Sequence, residues 1–345
     1  MPGGRYSVRR GKNLPLFKVP VLRAQRAYLS LLLAIVVSVI GLSCPAGARV
    51  AMEVVKLSGK NISVPAYGWA DTAVKPTSVL IAIHGGVQHA GSFRALAEQL
   101  APRGILIYSI DLRGYGEWLA TSSTRPALNY LASTDDVVEI ASQLRKEHPG
   151  LPIFCIGESL GAAVGLRALS YKPQLFDGLI LCSPGTTPST KAAWRDILIS
   201  VREGVTSLGT SIDLSGHLKR ISEDPRSCAE MIDDPRNRNQ ASVPELFRMA
   251  NFVRQNGTFA KTIDRNVPVL VLQGTEDHIC SPQSAAVVFA KLASSDKSLK
   301  TFEGCGHLLA TTAYLKPEVI TAIEQWLALH TTSSQIAHLP TKVQN

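Results

Sequence analysis

The sequence predicts an α/β fold, a mostly parallel sheet of eight strands with helices on both faces and a helical insertion above it. Three observations carry this. Short, continuous apolar runs alternate with helical patterns, as they do in a sheet buried on both faces. Residues 184–260 interrupt that rhythm with a stretch richer in Arg, Asp, Ser and Asn. Finally, Ile153-Phe154-Cys155-Ile156 runs into Gly157-Glu158-Ser159-Leu160-Gly161 and a set of small residues, which reads as strand, sharp turn and helix.

In order along the chain, Arg5, Arg9, Arg10, Lys12, Lys18, Arg23 and Arg26 precede an apolar run from Leu29 to Leu42, followed by Ala46-Gly47-Ala48. A basic stretch, a run of about 14 apolar residues and an A-x-A exit read as a signal peptide cut after Ala48. The alternative is an uncleaved anchor, which would associate the protein with a membrane, although the run is short of the ~20 residues that span a bilayer comfortably. Either way the chain is expected to be exported or held at a membrane. These basic residues also account for most of the formal charge of +9. The remainder is nearly neutral, so no nucleic-acid partner is expected.

After the leader, residues 54–57 and 62–64 read as short strands about a Ser58-Gly59-Lys60-Asn61 turn. Strands follow at 79–83, 105–110, 152–156, 179–182, 267–272 and 299–302. Helices are expected at 93–100, at 134–146 with Ser133 or Thr134 as cap, after Ser159, at 283–292 and at 317–329. The insertion reads as helices at 190–205, 214–221 and 244–255, a separate lobe over the carboxyl edge of the sheet where open α/β folds bind ligands. The layout is then a leader over 1–48, a core over 49–183 and 261–330, a lid over 184–260 and a flexible tail over 331–345.

Five cysteines follow the leader. Cys155 and Cys182 sit in apolar runs as small buried hydrophobes. Cys280 and Cys305 lie near candidate site residues, where an oxidising compartment would permit a disulfide between their loops. The absence of any C-x-x-C pair argues against zinc.

The chemistry centres on Ser159. A serine on a tight strand-to-helix turn projects its hydroxyl, and the glycines at 157 and 161 avoid side-chain clashes in that turn. It needs a base, and the base needs an orienting acid. Val269-Leu270-Val271-Leu272-Gln273 is followed by Gly274-Thr275-Glu276-Asp277, and Leu299-Lys300-Thr301-Phe302 by Glu303-Gly304-Cys305-Gly306-His307. Asp277 and His307 therefore stand just past strand ends, in the order Ser, Asp, His. Glu276 is the rival acid. An oxyanion would be held by the N–H of Leu160, following the serine, and by that of Gly86 in Ile83-His84-Gly85-Gly86. His84 organises that loop, His89 is a solvated loop residue or a substrate contact, and Asp111-Leu112-Arg113-Gly114-Tyr115-Gly116 is a turn held by Asp and Arg. His278 reads as surface.

These segments, with Ile221-Ser222-Glu223-Asp224-Pro225 and Asp233-Asp234-Pro235 in the insertion, make the chain resemble the α/β-hydrolase subgroup of monoacylglycerol lipases and lysophospholipases, filed with the S33 serine aminopeptidases. The resemblance runs from about Val79 to Leu329. It implies Ser159 as nucleophile, Asp277 as acid, His307 as base, Gly86 and Leu160 as oxyanion donors, and no cofactor or metal. The expected substrate is a small acyl ester or lipid. Glu158 stands where that family usually has His, and Tyr115 where it often has His. Glu117-Trp118 and Ala90-Gly91-Ser92-Phe93 also depart from its pattern. These departures bear on substrate identity, and Glu158 is the first place to look for altered specificity. Two other readings stay open. One is an aminopeptidase or iminopeptidase, with Glu223, Asp224, Glu230, Asp233 and Asp234 forming a pocket for a substrate amine. The other is a non-catalytic binding protein on the same scaffold.

Overall fold

The computed structural model describes residues 50–58, 63–122, 124–186 and 211–337. The leader expected over 1–48 and the helix expected over 190–205 lie outside the described residues. No helix among the described residues is long and apolar enough to cross a membrane.

Ten strands are described: β1 (Val50–Ser58), β2 (Ser63–Asp71), β3 (Ser78–Ile83), β4 (Ile105–Ile110), β5 (Ile153–Glu158), β6 (Gly178–Cys182), β7 (Ser211–Asp213), β8 (Gln240–Ser242), β9 (Val269–Gly274) and β10 (Lys297–Phe302). Eight form one sheet in the order β1-β2-β4-β3-β5-β6-β9-β10. β1 and β2 are antiparallel, as are β2 and β4, and the pairings from β4 to β10 are parallel. The first two strands outrun the expected 54–57 and 62–64. Their register continues from Ser58 opposite Ser63 to Val50 opposite Asp71, and Val64, Ala66 and Trp69 still bury their side chains along β2.

The helices are α1 (Arg94–Leu100), α2 (Glu117–Ala120), α3 (Tyr130–Glu147), α4 (Leu160–Tyr171), α5 (Ser215–Leu218), α6 (Pro225–Asp233), α7 (Val243–Arg254), α8 (Asn256–Phe259), α9 (Pro282–Lys291) and α10 (Pro317–Ala337). The two-residue period of the strands divides the core between two faces. Ile81, Ile83, Cys155, Leu179 and Val271 pack with Val137 and Ile140 of α3 and Val164 of α4. Leu80, Ala82, Phe154, Ile156 and Leu270 pack instead with Leu96 of α1 and Ile323 of α10.

Three expectations need correction. Helix α3 begins at Tyr130, not near 134, because Asn129 Oδ1 accepts the Ala132 N–H at 3.0 Å and caps it. Ser133 and Thr134 are already helical and bond back to the Asn129 and Tyr130 carbonyls. The expected tail is helical as far as Ala337, since no glycine or proline follows Pro317 until Pro340. In the insertion, the helix expected at 214–221 is the single turn α5. The described part also contains α6, capped by Asp224 and entered through Pro225, and the small antiparallel pair β7–β8. Helix α7 does match the expected 244–255. A capping box between Ser242 and Glu245 starts it, and its Phe252 joins the α3–α4 side of the core.

Candidate active site

Ser159 occupies the residue between β5 and α4 with φ +54° and ψ −109°. Such a backbone costs a non-glycine residue on the order of 1–3 kcal/mol and persists only where its surroundings impose it. The surroundings are visible. The Ser159 N–H is held by the Cys182 carbonyl at 2.9 Å. A Cβ at Gly157 would lie 2.3 Å from the Gly161 carbonyl oxygen, and one at Gly161 would lie 2.0 Å from that of Ile83. Only glycine fits either position. The serine does not cap α4 with its side chain; it borders a cavity that Cys280 and His307 also line.

His307 and Asp277 leave the carboxyl ends of β10 and β9 and meet at 2.8 Å through Nδ1 and Oδ2. Both are 3% exposed, whereas Glu276 points to solvent, so the structure brings Asp277 and not its rival to the histidine. The carboxylate is fully satisfied. Oδ1 accepts the Ile279 and Cys280 N–H groups at 2.8 Å each, and Oδ2 also accepts Gln273 Nε2 at 3.0 Å. Burial opposes charge on both partners, but their attraction and hydrogen bond prevail: the carboxyl is held below its ordinary range and the imidazole above its own. The bond at Nδ1 leaves Nε2 as the nitrogen able to exchange a proton. Ser183 supports this loop by donating to the His307 carbonyl at 2.8 Å.

Gly86 and Leu160 border the same cavity as Ser159 and His307. The Leu160 N–H belongs to the first turn of α4, where no intrahelical acceptor exists. His84 organises the Gly86 loop. Its Nδ1 donates to the Gly85 carbonyl at 2.8 Å and its Nε2 accepts the Leu112 N–H at 3.0 Å. Burial drives its pKa down to about 3, so it remains neutral. Tyr115 packs edge-on against its ring.

The cavity measures about 240 Å³ and is mostly apolar. Leu246, Met249 and Val253 of α7 line it together with Leu218, Ile221 and Ile279.

Several sequence expectations are redirected. Glu158 does not line the cavity and is fully buried against the N–H groups of residues 309–311, so it does not touch a substrate there. His89 is buried rather than solvated and bonds Asp234 at 3.0 Å, tying the core loop to the insertion. Asp111 accepts the Ala90 and Glu117 N–H groups, and Arg113 forms a two-pronged pair with Asp136. Of the insertion acids, Asp224 and Asp234 pair with Arg226 and Arg236. Glu223 accepts the Gly306 N–H and pairs with Lys316, Glu230 accepts Tyr314 Oη, and Asp233 is exposed. None of the five lines the cavity. Cys280 and Cys305 are free thiols, as are Cys155, Cys182 and Cys228. Sequence reading passed over Gln273 and Ser183, whose only signal is a polar residue closing an apolar strand.

A mostly parallel eight-stranded sheet with a serine elbow after β5 and acid and histidine loops after the last two strands defines an α/β-hydrolase-fold protein. Residues 74–311 match the family described as serine aminopeptidase, S33, and the chain belongs to it. Its relatives include the monoglyceride lipase homolog of Monkeypox virus, 28% identical over 260 residues, which are 73% of this chain and 90% of that protein. Human monoglyceride lipase is 24% identical over 288 residues, 79% of this chain and 89% of the relative. Among solved structures, the monoacylglycerol lipase of Paleococcus ferrophilus has a TM-score of 0.62 at 22% identity, covering 78% of this chain and 100% of the other. A soluble variant of monoglyceride lipase from Saccharomyces cerevisiae, bound to a substrate analog, has a TM-score of 0.67 at 19% identity, covering 84% and 99%.

Proposed function

We propose that this protein is a serine hydrolase that cleaves carboxylic esters of single-chain acyl lipids of the monoacylglycerol or lysophospholipid kind. One observation carries the reading: Ser159, on its strained turn, shares an apolar cavity with a histidine already paired to a buried carboxylate. The Ser159 hydroxyl attacks the ester carbonyl carbon, and its proton passes to His307 Nε2. Asp277 holds the ring and stabilises its cation. The N–H groups of Gly86 and Leu160 receive the oxyanion, a contribution worth on the order of 3 kcal/mol per donor in such sites. Collapse breaks the bond to the leaving alcohol, which takes the proton from His307 and departs. Water then attacks the acyl-enzyme, giving its proton to His307, and the second collapse returns that proton to Ser159 and frees the acid.

The apolar walls from α7 suit an acyl chain, and the relatives named for monoglyceride hydrolysis support the same class. A peptidase site for a free amine lacks its acids, because those of the insertion are paired or exposed elsewhere. The basic and apolar leader supports export or attachment to a membrane. Purified wild type and Ser159→Ala would be compared on nitrophenyl esters, on monoacylglycerol and on aminoacyl amides. Ester turnover that disappears in Ser159→Ala is the expected result. Turnover surviving that substitution, or amide cleavage exceeding ester cleavage, overturns the reading.

A further inference from the structure

Glu158 has no place in the steps above, yet it is a carboxylate with no exposed surface, adjacent to the nucleophile. The strand period explains where it points. Along β5, Phe154, Ile156 and Glu158 face α1 and α10, while Cys155 faces α4. That face is covered, at the carboxyl end of the sheet, by the chain leaving His307 toward α10. There Glu158 Oε1 accepts the N–H groups of Leu309 and Ala310 at 2.6 and 3.0 Å, and Oε2 accepts that of Thr311 at 2.9 Å. The Thr311 hydroxyl makes a further, short bond to Oε2. Three consecutive backbone donors thus converge on one side chain. Gln88, from the loop after Gly86, closes the arrangement: its Nε2 donates to the Thr311 carbonyl at 3.0 Å, and its Oε1 lies 3.0 Å from the Thr311 hydroxyl, whose one proton is shared between Gln88 and Glu158.

We infer that Glu158 is a positioning residue, which fixes the His307 loop to the strand that carries Ser159 and so keeps base and nucleophile in register. The inference rests on the hydrolase reading above. One carboxylate bridges the loop of the base, the strand of the nucleophile and, through Thr311 and Gln88, the loop of Gly86. Its charge also bears on the base: Glu158 and Asp277 are the two carboxylates acting on His307, and both favour the imidazolium. The neighbouring thiols of Cys182 and Cys280 are kept neutral by burial. Burial outweighs these donors and holds the Glu158 carboxyl above its ordinary range, so its charge, and with it this support of the imidazolium, is present only on the alkaline side of that raised pKa.

The test is Glu158→Gln, which preserves shape but offers one acceptor oxygen in place of two. Either the Thr311 N–H or the Leu309 and Ala310 pair then faces an amide NH2. With a short nitrophenyl ester, kcat should fall by about a hundredfold, the scale of a reacting group displaced by about 1 Å, with KM retained. The acid limb of the kcat/KM profile should move to lower pH, because the imidazolium loses a nearby negative charge. A residue that only supports the fold would lower the rate without moving that limb. Should Glu158→Gln fail to fold by near-ultraviolet circular dichroism, Thr311→Val removes one donor alone, and its kcat should drop about tenfold with KM held. Wild-type kcat and an unmoved limb in Glu158→Gln, or wild-type kcat in Thr311→Val, overturn the inference. Activity surviving in Ser159→Ala overturns the hydrolase reading, and this inference with it.

Discussion

Gly161 in the first turn of α4 lies against the carbonyl of Ile83 at the end of β3, so close that a Cβ would stand 2.0 Å from its oxygen. The contact joins the turn of the serine to the loop of Gly86. Gly161→Ala should therefore separate the two. Overpacking commonly costs about 1–3 kcal/mol, and here both neighbours are backbone, so a loss at the upper end or beyond is expected in urea unfolding. Ester hydrolysis should fall with it. A variant as stable and active as wild type would show that the loop and the turn yield freely.

The Asp277–His307 pair fixes the pH response. Catalysis needs a neutral imidazole at the start, and the pair holds the His307 pKa above its ordinary value. The rate should fall on acidification, with its midpoint above about 6.5, the unperturbed histidine value. Asp277→Asn removes that support, so the midpoint should drop and kcat should decline by roughly 10⁴-fold, as when a triad acid is neutralised. A pH–rate profile of both proteins reads the two effects.

Arg238 and Glu245 meet at 2.6 Å with their side chains 2% and 11% exposed, and Arg238 also donates to the Gly114 and Pro126 carbonyls. Arg238→Met leaves the carboxylate at the start of α7 without this partner. Breaking such a pair typically costs about 3–5 kcal/mol. Thermal unfolding should register the loss, and hydrolysis of long-chain esters should suffer because α7 walls the cavity.

Leu246→Trp tests the acyl assignment of the cavity. The added bulk should raise KM for a long-chain ester severalfold or more while an acetyl ester is turned over at near wild-type rate. Equal effects on both substrates would place the acyl chain elsewhere.

Much of this was legible in the residues. Apolar runs such as Val79-Leu80-Ile81-Ala82-Ile83 named the strands because both of their faces are buried, and glycine at 157 and 161 marked the turn because nothing larger fits. Asp277 and His307 were recognisable from their places after strands. The direction of Glu158 was not, since a strand's period tells which residues share a face but not what will cover it. The fate of His89 and the insertion acids was hidden for a related reason. The partners of His89, Glu223 and Glu230 (Asp234, Lys316 and Tyr314) are remote in the chain and no local pattern encodes them, whereas Asp224 and Asp234 pair with arginines two residues on. Asn129 is as good a cap as Ser133 or Thr134, and only the Ala132 N–H bonded to its Oδ1 shows which of the three starts the helix.

The free, buried cysteines carry a practical consequence. With no disulfide among the described residues, a reducing buffer should leave the folded protein intact, and refolding should need no oxidant. Cys155 and Cys182 lie within the central strands and have no exposed surface. They become available to a maleimide only when the sheet itself opens. The rate at which they are alkylated would serve as an internal clock for global unfolding, readable by mass spectrometry without any engineered label.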